Sequence, residues 1–77
     1  MKNISYQELA NCQLYAEHVV NFYKHCNNGE VPKNASEAEL AIREFNSDFR
    51  SFKAMFGYSI RGYISHIVDC IGLIFEA

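Results

Sequence analysis

The sequence has little that would break a helix or build a covalent framework. Its 77 residues include one proline, four glycines and no tryptophan. The three cysteines, Cys12, Cys26 and Cys70, are an odd number and contain no CxxC pair. This pattern does not fit the disulfide scaffold of a small secreted domain, so we predict free thiols on or near the apolar sides of helices. A reducing, cytoplasmic location is the expectation that follows.

Long apolar runs and a charge excess are also missing. The first five residues lack the apolar segment of a signal peptide. The apolar stretch near the C-terminus is interrupted by Arg61, His66 and Asp69, so we predict no membrane span and no membrane partner. Seven Lys and Arg against nine Asp and Glu give a formal charge of −2. That balance is neither the basic charge of a general nucleic-acid binder nor the acidity of a DNA mimic.

What the sequence does contain is helical periodicity, most clearly in its middle. Six apolar residues follow one another in steps of four and three, which is the spacing of one narrow stripe on an α-helix. They are Ala38, Ile42, Phe45, Phe49, Phe52 and Phe56. Most residues off this stripe are charged, small or polar. The pattern is typical of a helix that packs against other helices, and we interpret the stripe as core.

Two further apolar stripes flank the first one, and start and stop signals separate the three. Ser5 and Glu8 fit a capping box before the first stripe, and Ser36 with Glu39 fits a second. Ser59 is the predicted N-cap of the last helix, whose stripe has steps of four and three from Ile60 to Ile74. The sequence therefore predicts an all-α, compact three-helix bundle in a single domain, 1–77. The expected helices are about 5–28, 36–56 and 59–76.

The chain is short and rich in apolar residues. Hydrophobic residues make up 49% of it, and the last predicted helix has apolar residues on about half of its circumference. A domain of this size buries roughly 60% of its unfolded surface, so a monomer is only marginally stable. We therefore predict a homodimer in preference to a monomer, with the last helix either central in the bundle or at the dimer interface.

Small residues on the opposite side of the last helix indicate a second feature. Gly62, Ser65, Asp69 and Gly72 share that side. Two glycines inside a helix cost about 1 kcal/mol each relative to alanine. We therefore expect another helix of the fold, or a partner protein, to approach the backbone closely there.

No catalytic or metal-binding pattern stands out. His66 and Cys70 are four residues apart, which is half of a zinc site, but no second chelating pair is evident in the remaining sequence. Cys70, His66 and Asp69 also supply the residue types of a nucleophilic triad, but adjacent helical positions point apart. We predict no enzymatic activity, no metal and no cofactor.

One polar stripe on the predicted middle helix is a candidate recognition surface. Arg43, Arg50 and Lys53 fall at steps of seven and three, with Asn46 and Ser47 between them. Arginines in such a row can bind carboxylates or phosphates bidentately. The alternative is an ordinary solvated face, in which the pair Glu39–Arg43 merely supports the helix.

These patterns favour a small non-enzymatic protein that binds another protein through this stripe, as an adaptor, subunit or inhibitor of a larger assembly. Small helical proteins without active sites are often regulators in microbes and mobile elements. The alternative hypothesis is a small nucleic-acid-binding regulator that uses Arg43, Arg50 and Lys53. The sequence disfavours a DNA-binding helix-turn-helix, because the last helix carries only Arg61 and His66 as donors on its polar side.

Overall fold

The computed structural model describes residues 4–49 and 51–76 of the chain. These residues contain four helices and no strand, which confirms the all-α class. The helices are α1 (Tyr6–Cys26), α2 (Ala35–Phe49), α3 (Ser51–Phe56) and α4 (Ile64–Glu76). The segment predicted as one middle helix is therefore described as α2 and α3.

Helix α1 begins with the predicted capping box, and it ends at Cys26, before the predicted end at about residue 28. The Ser5 hydroxyl accepts the Glu8 N–H, and the Glu8 carboxylate accepts the Ser5 N–H, so the capping box is present. At the other end, Gly29 has φ +86° and donates its N–H to the Lys24 carbonyl at 2.8 Å. Glycine adopts this left-handed conformation without steric cost, and the hydrogen bond satisfies a carbonyl at the helix end.

Helix α2 starts one residue earlier than predicted, and a different side chain caps it. Asn34 Oδ1 accepts the Glu37 N–H at 2.9 Å, and the Asn34 carbonyl accepts the Ala38 N–H at 3.0 Å. The Glu37 carboxylate in turn accepts the N–H of Lys33 at 2.8 Å. The predicted Ser36 capping box is therefore wrong, because Asn34 already satisfies the free N–H that a cap must bind.

The largest difference from the predicted elements is at the start of α4. The predicted start after Tyr58, with Ser59 as N-cap, is wrong, because residues 57–63 form turns and the helix begins at Ile64. Ser59 Oγ accepts the Arg61 N–H within the turn. Gly62 lies in this turn with φ +91° and not inside a helix. Gly62 therefore permits a left-handed turn. It does not provide the close contact between helices that was expected.

The core lies where α1, α2 and α4 pack against one another in pairs. Tyr15 of α1 is at its centre, completely buried, with edge-on ring contacts to Phe45, Phe52 and Phe56. The predicted middle stripe is core wherever its side chains are described. The fully or almost fully buried apolar residues are Cys12, Tyr15, Ala16, Val19, Val20, Ala38, Ala41, Ile42, Phe52, Ile67, Cys70 and Ile71.

Two expectations about apolar surface change in the structure. Cys26 is exposed at the end of α1, whereas Cys12 and Cys70 are buried, so only two of the three thiols lie on an apolar side. The apolar side of α4 is used within the chain, since Ile67 and Ile71 are buried and Ile64 and Val68 pack against the core. Because these four residues pack within the chain, they no longer support the predicted dimer interface. The side chains of residues 73–76 lie outside the described part.

Within the described residues, no helix has both the length and the apolar character that crossing a membrane requires.

Candidate functional site

The outward side of α2 is the candidate site. Among the described residues of that helix, Arg43 is the member of the predicted polar stripe that is exposed there. We call this side the outer face of α2 and define it by Ser36, Leu40, Arg43 and Glu44, which are all exposed. These positions lie opposite the buried residues Ala38, Ile42 and Phe45 because a helix turns by about 100° per residue. The hydrophobic stripe thus anchors one side of α2 and leaves the other side free of the core.

Arg43 is held in place on this face by its neighbour one turn earlier. Its Nη2 lies 2.8 Å and its Nε 3.2 Å from Oε1 of Glu39. Both side chains are largely solvent-exposed, at 66% for Arg43 and 46% for Glu39. An exposed pair of this kind adds only about 0.3–0.5 kcal/mol to helix stability. Its more important effect is that the Arg43 side chain is oriented and its charge is partly compensated.

The structure separates the other predicted residues. Asn46 is half-buried, and its Oδ1 accepts a long 3.4 Å hydrogen bond from the hydroxyl of the buried Tyr15. Asn46 therefore faces the core and not the stripe. Lys53 is exposed on α3. Arg50 and the side chain of Ser47 lie outside the described residues.

Leu40 is a residue of the outer face that sequence reasoning missed. It is 54% exposed and lies three residues before Arg43, on the same side of the helix. The sequence does indicate that Leu40 is exposed, since it is off the apolar stripe of Ala38, Ile42 and Phe45. Single apolar residues on a protein surface are common, however, so this position alone did not suggest a binding site. Tyr6, Leu14 and Met55 are the other large apolar side chains that the described part of the chain exposes, and none of them is on α2.

A second polar cluster joins the turn before α4 to α1. The Tyr63 hydroxyl donates to Glu8 Oε2, and Asn11 Nδ2 donates to the Tyr58 hydroxyl at 3.1 Å. The hydrogen bond to Glu8, followed by burial and the Glu8 charge, raises the pKa of Tyr63 to about 12. A phenol that holds its proton this firmly, with Glu8 also engaged in the capping box, acts as a clamp between segments and is a poor acid or base near neutral pH.

The buried thiols have no activated character. Burial, with smaller contributions from Cys70 and Glu8, raises the pKa of Cys12 to about 11. Burial and the nearby Asp69 also raise the pKa of Cys70. A thiol is a nucleophile or metal ligand only as the thiolate, so both are far from that state at neutral pH. The described residues contain no group of three or more His, Cys, Asp or Glu side chains arranged to hold a metal ion.

Comparison with models of protein families, with curated proteins and with solved structures finds no match for this chain.

Proposed function

We propose that this protein is a three-helix bundle, with α2 and α3 as one arm, that works by binding a protein partner and not by catalysis. The outer face of α2 is the proposed binding surface, together with Arg50, Ser47 and Lys53 from the predicted stripe. An adaptor, an accessory subunit or an inhibitor of a larger assembly is the class of protein that this surface fits. A cytoplasmic location accords with its free thiols.

One observation supports a protein partner above all others: the exposed Leu40 lies beside an arginine that its own neighbour orients. The buried centre of a protein interface is more apolar than its rim, and arginine is enriched there. The Glu39–Arg43 pair gives this surface both signs of charge, so it is suited to a partner that also carries both.

The same pair disfavours the alternative, in which the stripe binds nucleic acid. Phosphate backbones are bound by uncompensated cations that release counterions. Glu39 lies 2.8 Å from the Arg43 guanidinium, and Glu44 is exposed on the same face. These carboxylates would repel a phosphate, and the chain as a whole has a formal charge of −2.

The test is a quantitative affinity capture from cells that express the protein, using tagged wild type and two matched variants. Leu40→Lys changes the proposed surface, and Leu14→Lys changes an exposed leucine of α1, which is 46% exposed. Circular dichroism confirms that both variants keep the helical content of the wild type. Each capture is run with and without nuclease and quantified by mass spectrometry.

We expect a protein that is recovered with wild type and with Leu14→Lys, and at least tenfold less with Leu40→Lys. Nuclease should leave its recovery unchanged. Equal recovery with both lysine variants would contradict the proposed surface. Loss of all specific recovery on nuclease treatment would transfer the function to nucleic acid, and binding that weakens steeply with salt would accompany it.

A further inference from the structure

We infer that Asn28, in the turn after α1, is a site of spontaneous modification, at which its side-chain amide is lost as ammonia and the residue becomes aspartate or isoaspartate. The hydrogen bond that ends α1 controls how fast this happens. The inference does not depend on the proposed function, because it concerns the connection between α1 and α2 and not the outer face of α2.

The residue that follows Asn28 favours this chemistry. The reaction requires the backbone nitrogen of the next residue to reach the side-chain carbonyl carbon of the asparagine. Gly29 has no Cβ beside that nitrogen and is conformationally free, so it hinders the approach less than any other residue. Every other asparagine of the sequence is followed by a residue that has a Cβ. The sequence therefore singles out Asn28 among the asparagines.

The structure leaves this pair of residues open to solvent. Asn28 and Gly29 are both exposed, and a Cβ built at Gly29 meets nothing within 4 Å. Asn28 has φ +55°, a left-handed conformation that asparagine adopts more readily than most residues. Its side-chain amide has no hydrogen-bond partner among the described residues. Water and hydroxide therefore have access to both reacting groups.

The neighbouring Asn27 shows the opposite environment. Its Nδ2 donates to the Tyr23 carbonyl at 2.8 Å, and the residue is half-buried. The residue after it is Asn28, which has a Cβ. Asn27 therefore differs from Asn28 in both the restraint on its amide and the residue that follows, and it serves as an internal control in the same protein.

The reaction requires no reactant besides water. Hydroxide removes the proton of the Gly29 N–H, and the nitrogen attacks Cγ of Asn28. A C–N bond forms to Cγ, and the amide nitrogen of Asn28 takes up a proton and leaves as ammonia, which produces a cyclic imide. Water then opens the imide: breaking the bond from the nitrogen to Cγ gives aspartate, and breaking its bond to the backbone carbonyl carbon gives isoaspartate. In sum, an amide and a water become a carboxylic acid and ammonia, and nothing is oxidised or reduced.

The end of α1 restrains the nitrogen that must attack. In the folded chain the Gly29 N–H donates to the Lys24 carbonyl at 2.8 Å. An N–H engaged in this way is not free to lose its proton, so the imide forms only when this last turn opens. Helix ends open at a much lower free energy than the core does. The native chain should therefore react more slowly than the unfolded chain, at a rate set by the opening of the helix end.

The product in turn weakens the helix end. A new carboxylate at residue 28 lies at the C-terminal end of α1, where the helix dipole makes negative charge unfavourable. Isoaspartate also adds a methylene to the main chain, which displaces the Gly29 N–H from the Lys24 carbonyl. Either product loosens the connection between α1 and α2.

The experiment follows the modification of the full chain during incubation at pH 8. Peptide mass spectrometry after digestion at acidic pH measures the conversion of each asparagine and separates aspartate from isoaspartate. Asn27→Ala removes the hydrogen bond to Tyr23 at the helix end and leaves Asn28 and Gly29 unchanged. Asn21→Ala is the matched control, because it removes an exposed amide before the helix end. Circular dichroism confirms that both variants keep the helical content of the wild type.

We expect Asn28 to convert faster than any other asparagine of the native wild type. Asn27→Ala should accelerate the conversion of Asn28 by roughly two- to tenfold, which is the change in the open population that the loss of one hydrogen bond produces. Asn21→Ala should react at the rate of wild type. A native chain in which Asn28 converts no faster than Asn27 would overturn the inference.

Incubation in urea separates the chemistry of the site from its control by the helix end. The unfolded wild type should convert at Asn28 several-fold faster than the native chain, because the Gly29 N–H is then free. Gly29→Ala in urea should convert several-fold more slowly than wild type in urea, since no helix end exists there and only the Cβ differs. Equal rates for native and unfolded wild type would contradict the control by the helix end, and equal rates for Gly29→Ala and wild type in urea would contradict the role of glycine.

Discussion

At the scale of single residues, Tyr63 shows how one hydroxyl connects two parts of the chain. Its O–H donates to Glu8, which also accepts the Ser5 N–H at the start of α1. The carboxylate therefore holds the first turn of α1 and the turn before α4 at once. Phe52 stacks on the ring of Tyr63 at 6.1 Å and keeps it against the core.

This arrangement predicts a specific loss of stability in alkali. The pKa of Tyr63 rises from 10.0 to about 12 because of the Glu8 hydrogen bond, burial and the Glu8 charge. Since the folded pKa exceeds the unfolded one, the contribution is complete below pH 10 and is lost as the pH rises towards 12. Tyr63→Phe should be less stable than wild type at pH 8, and the difference should shrink as the pH rises through that range.

Urea denaturation at a series of pH values measures this difference. Tyr6→Phe is the matched control, because Tyr6 is 90% exposed, and it should track wild type throughout. A constant difference between Tyr63→Phe and wild type from neutral pH to alkali would show that the hydroxyl does not contribute through its proton. Titrating groups that do not interact with Tyr63 are present in all three proteins and cancel in the comparison, whereas Tyr58 and Cys12 contribute to the Tyr63 shift itself.

At the scale of elements, the two glycines predicted to share one side of a helix have separate roles. Gly72 lies inside α4, and a Cβ built there meets nothing within 4 Å; Gly62 lies in the preceding turn with φ +91°. The expected close approach of a neighbouring helix is therefore absent at both positions within the described chain. What remains at Gly72 is the conformational cost of glycine in a helix.

The two positions predict opposite effects for the same substitution. Gly72→Ala should stabilise the protein by about 1 kcal/mol, because alanine has the higher helix propensity and space is open. Gly62→Ala should destabilise it by about 1–2 kcal/mol, because the left-handed conformation brings Cβ against the carbonyl oxygen. Thermal or urea denaturation measures both. A Gly72→Ala variant that is less stable than wild type would indicate that something does occupy that space.

At the scale of the whole molecule, the fold depends on one aromatic cluster shared by three elements. Phe52 is completely buried and has ring contacts with Tyr15 at 5.0 Å, Phe56 at 5.0 Å and Tyr58 at 5.3 Å. These rings come from α1, α3 and the turn before α4. Edge-on pairs such as Tyr15–Phe52, inclined at 82°, are favoured by the ring quadrupoles.

Removing this ring should therefore affect global stability. Phe52→Ala is expected to cost about 3–5 kcal/mol from lost burial and the remaining cavity. A chain of this length has a total stability of about 4–12 kcal/mol, so the variant should lose a quarter or more of it and should unfold at a much lower urea concentration than wild type. Met55→Ala is the control on the same helix, since Met55 is 41% exposed, and it should change stability by less than about 0.5 kcal/mol.

The measurement is the urea midpoint at 25 °C, with circular dichroism as the signal. A Phe52→Ala variant that loses less than about 1 kcal/mol would show that the core readily collapses into the vacated space. A similar loss of stability for Met55→Ala would indicate that substitutions anywhere in α3 destabilise the protein, and that the aromatic cluster is not the specific cause.

The sequence by itself determined the helical class, the first capping box and the side of each helix that is buried. Those features depend on local periodicity and on hydrogen bonds between residues three or four apart, which a sequence pattern carries directly. It could not distinguish Asn34 from Ser36 as a cap, or Gly62 in a turn from Gly62 in a helix, because two local conformations compete there and packing chooses between them.

The candidate site divides in the same way. Periodicity identified Arg43 as an outward residue and the pair Glu39–Arg43 as neighbours, since both follow from helical spacing. Only the tertiary structure turned Asn46 towards Tyr15, whereas helical spacing already placed Leu40 opposite the buried stripe. Whether a residue at the edge of an apolar stripe is covered depends on where the neighbouring helices lie, and contacts between residues distant in the chain decide that.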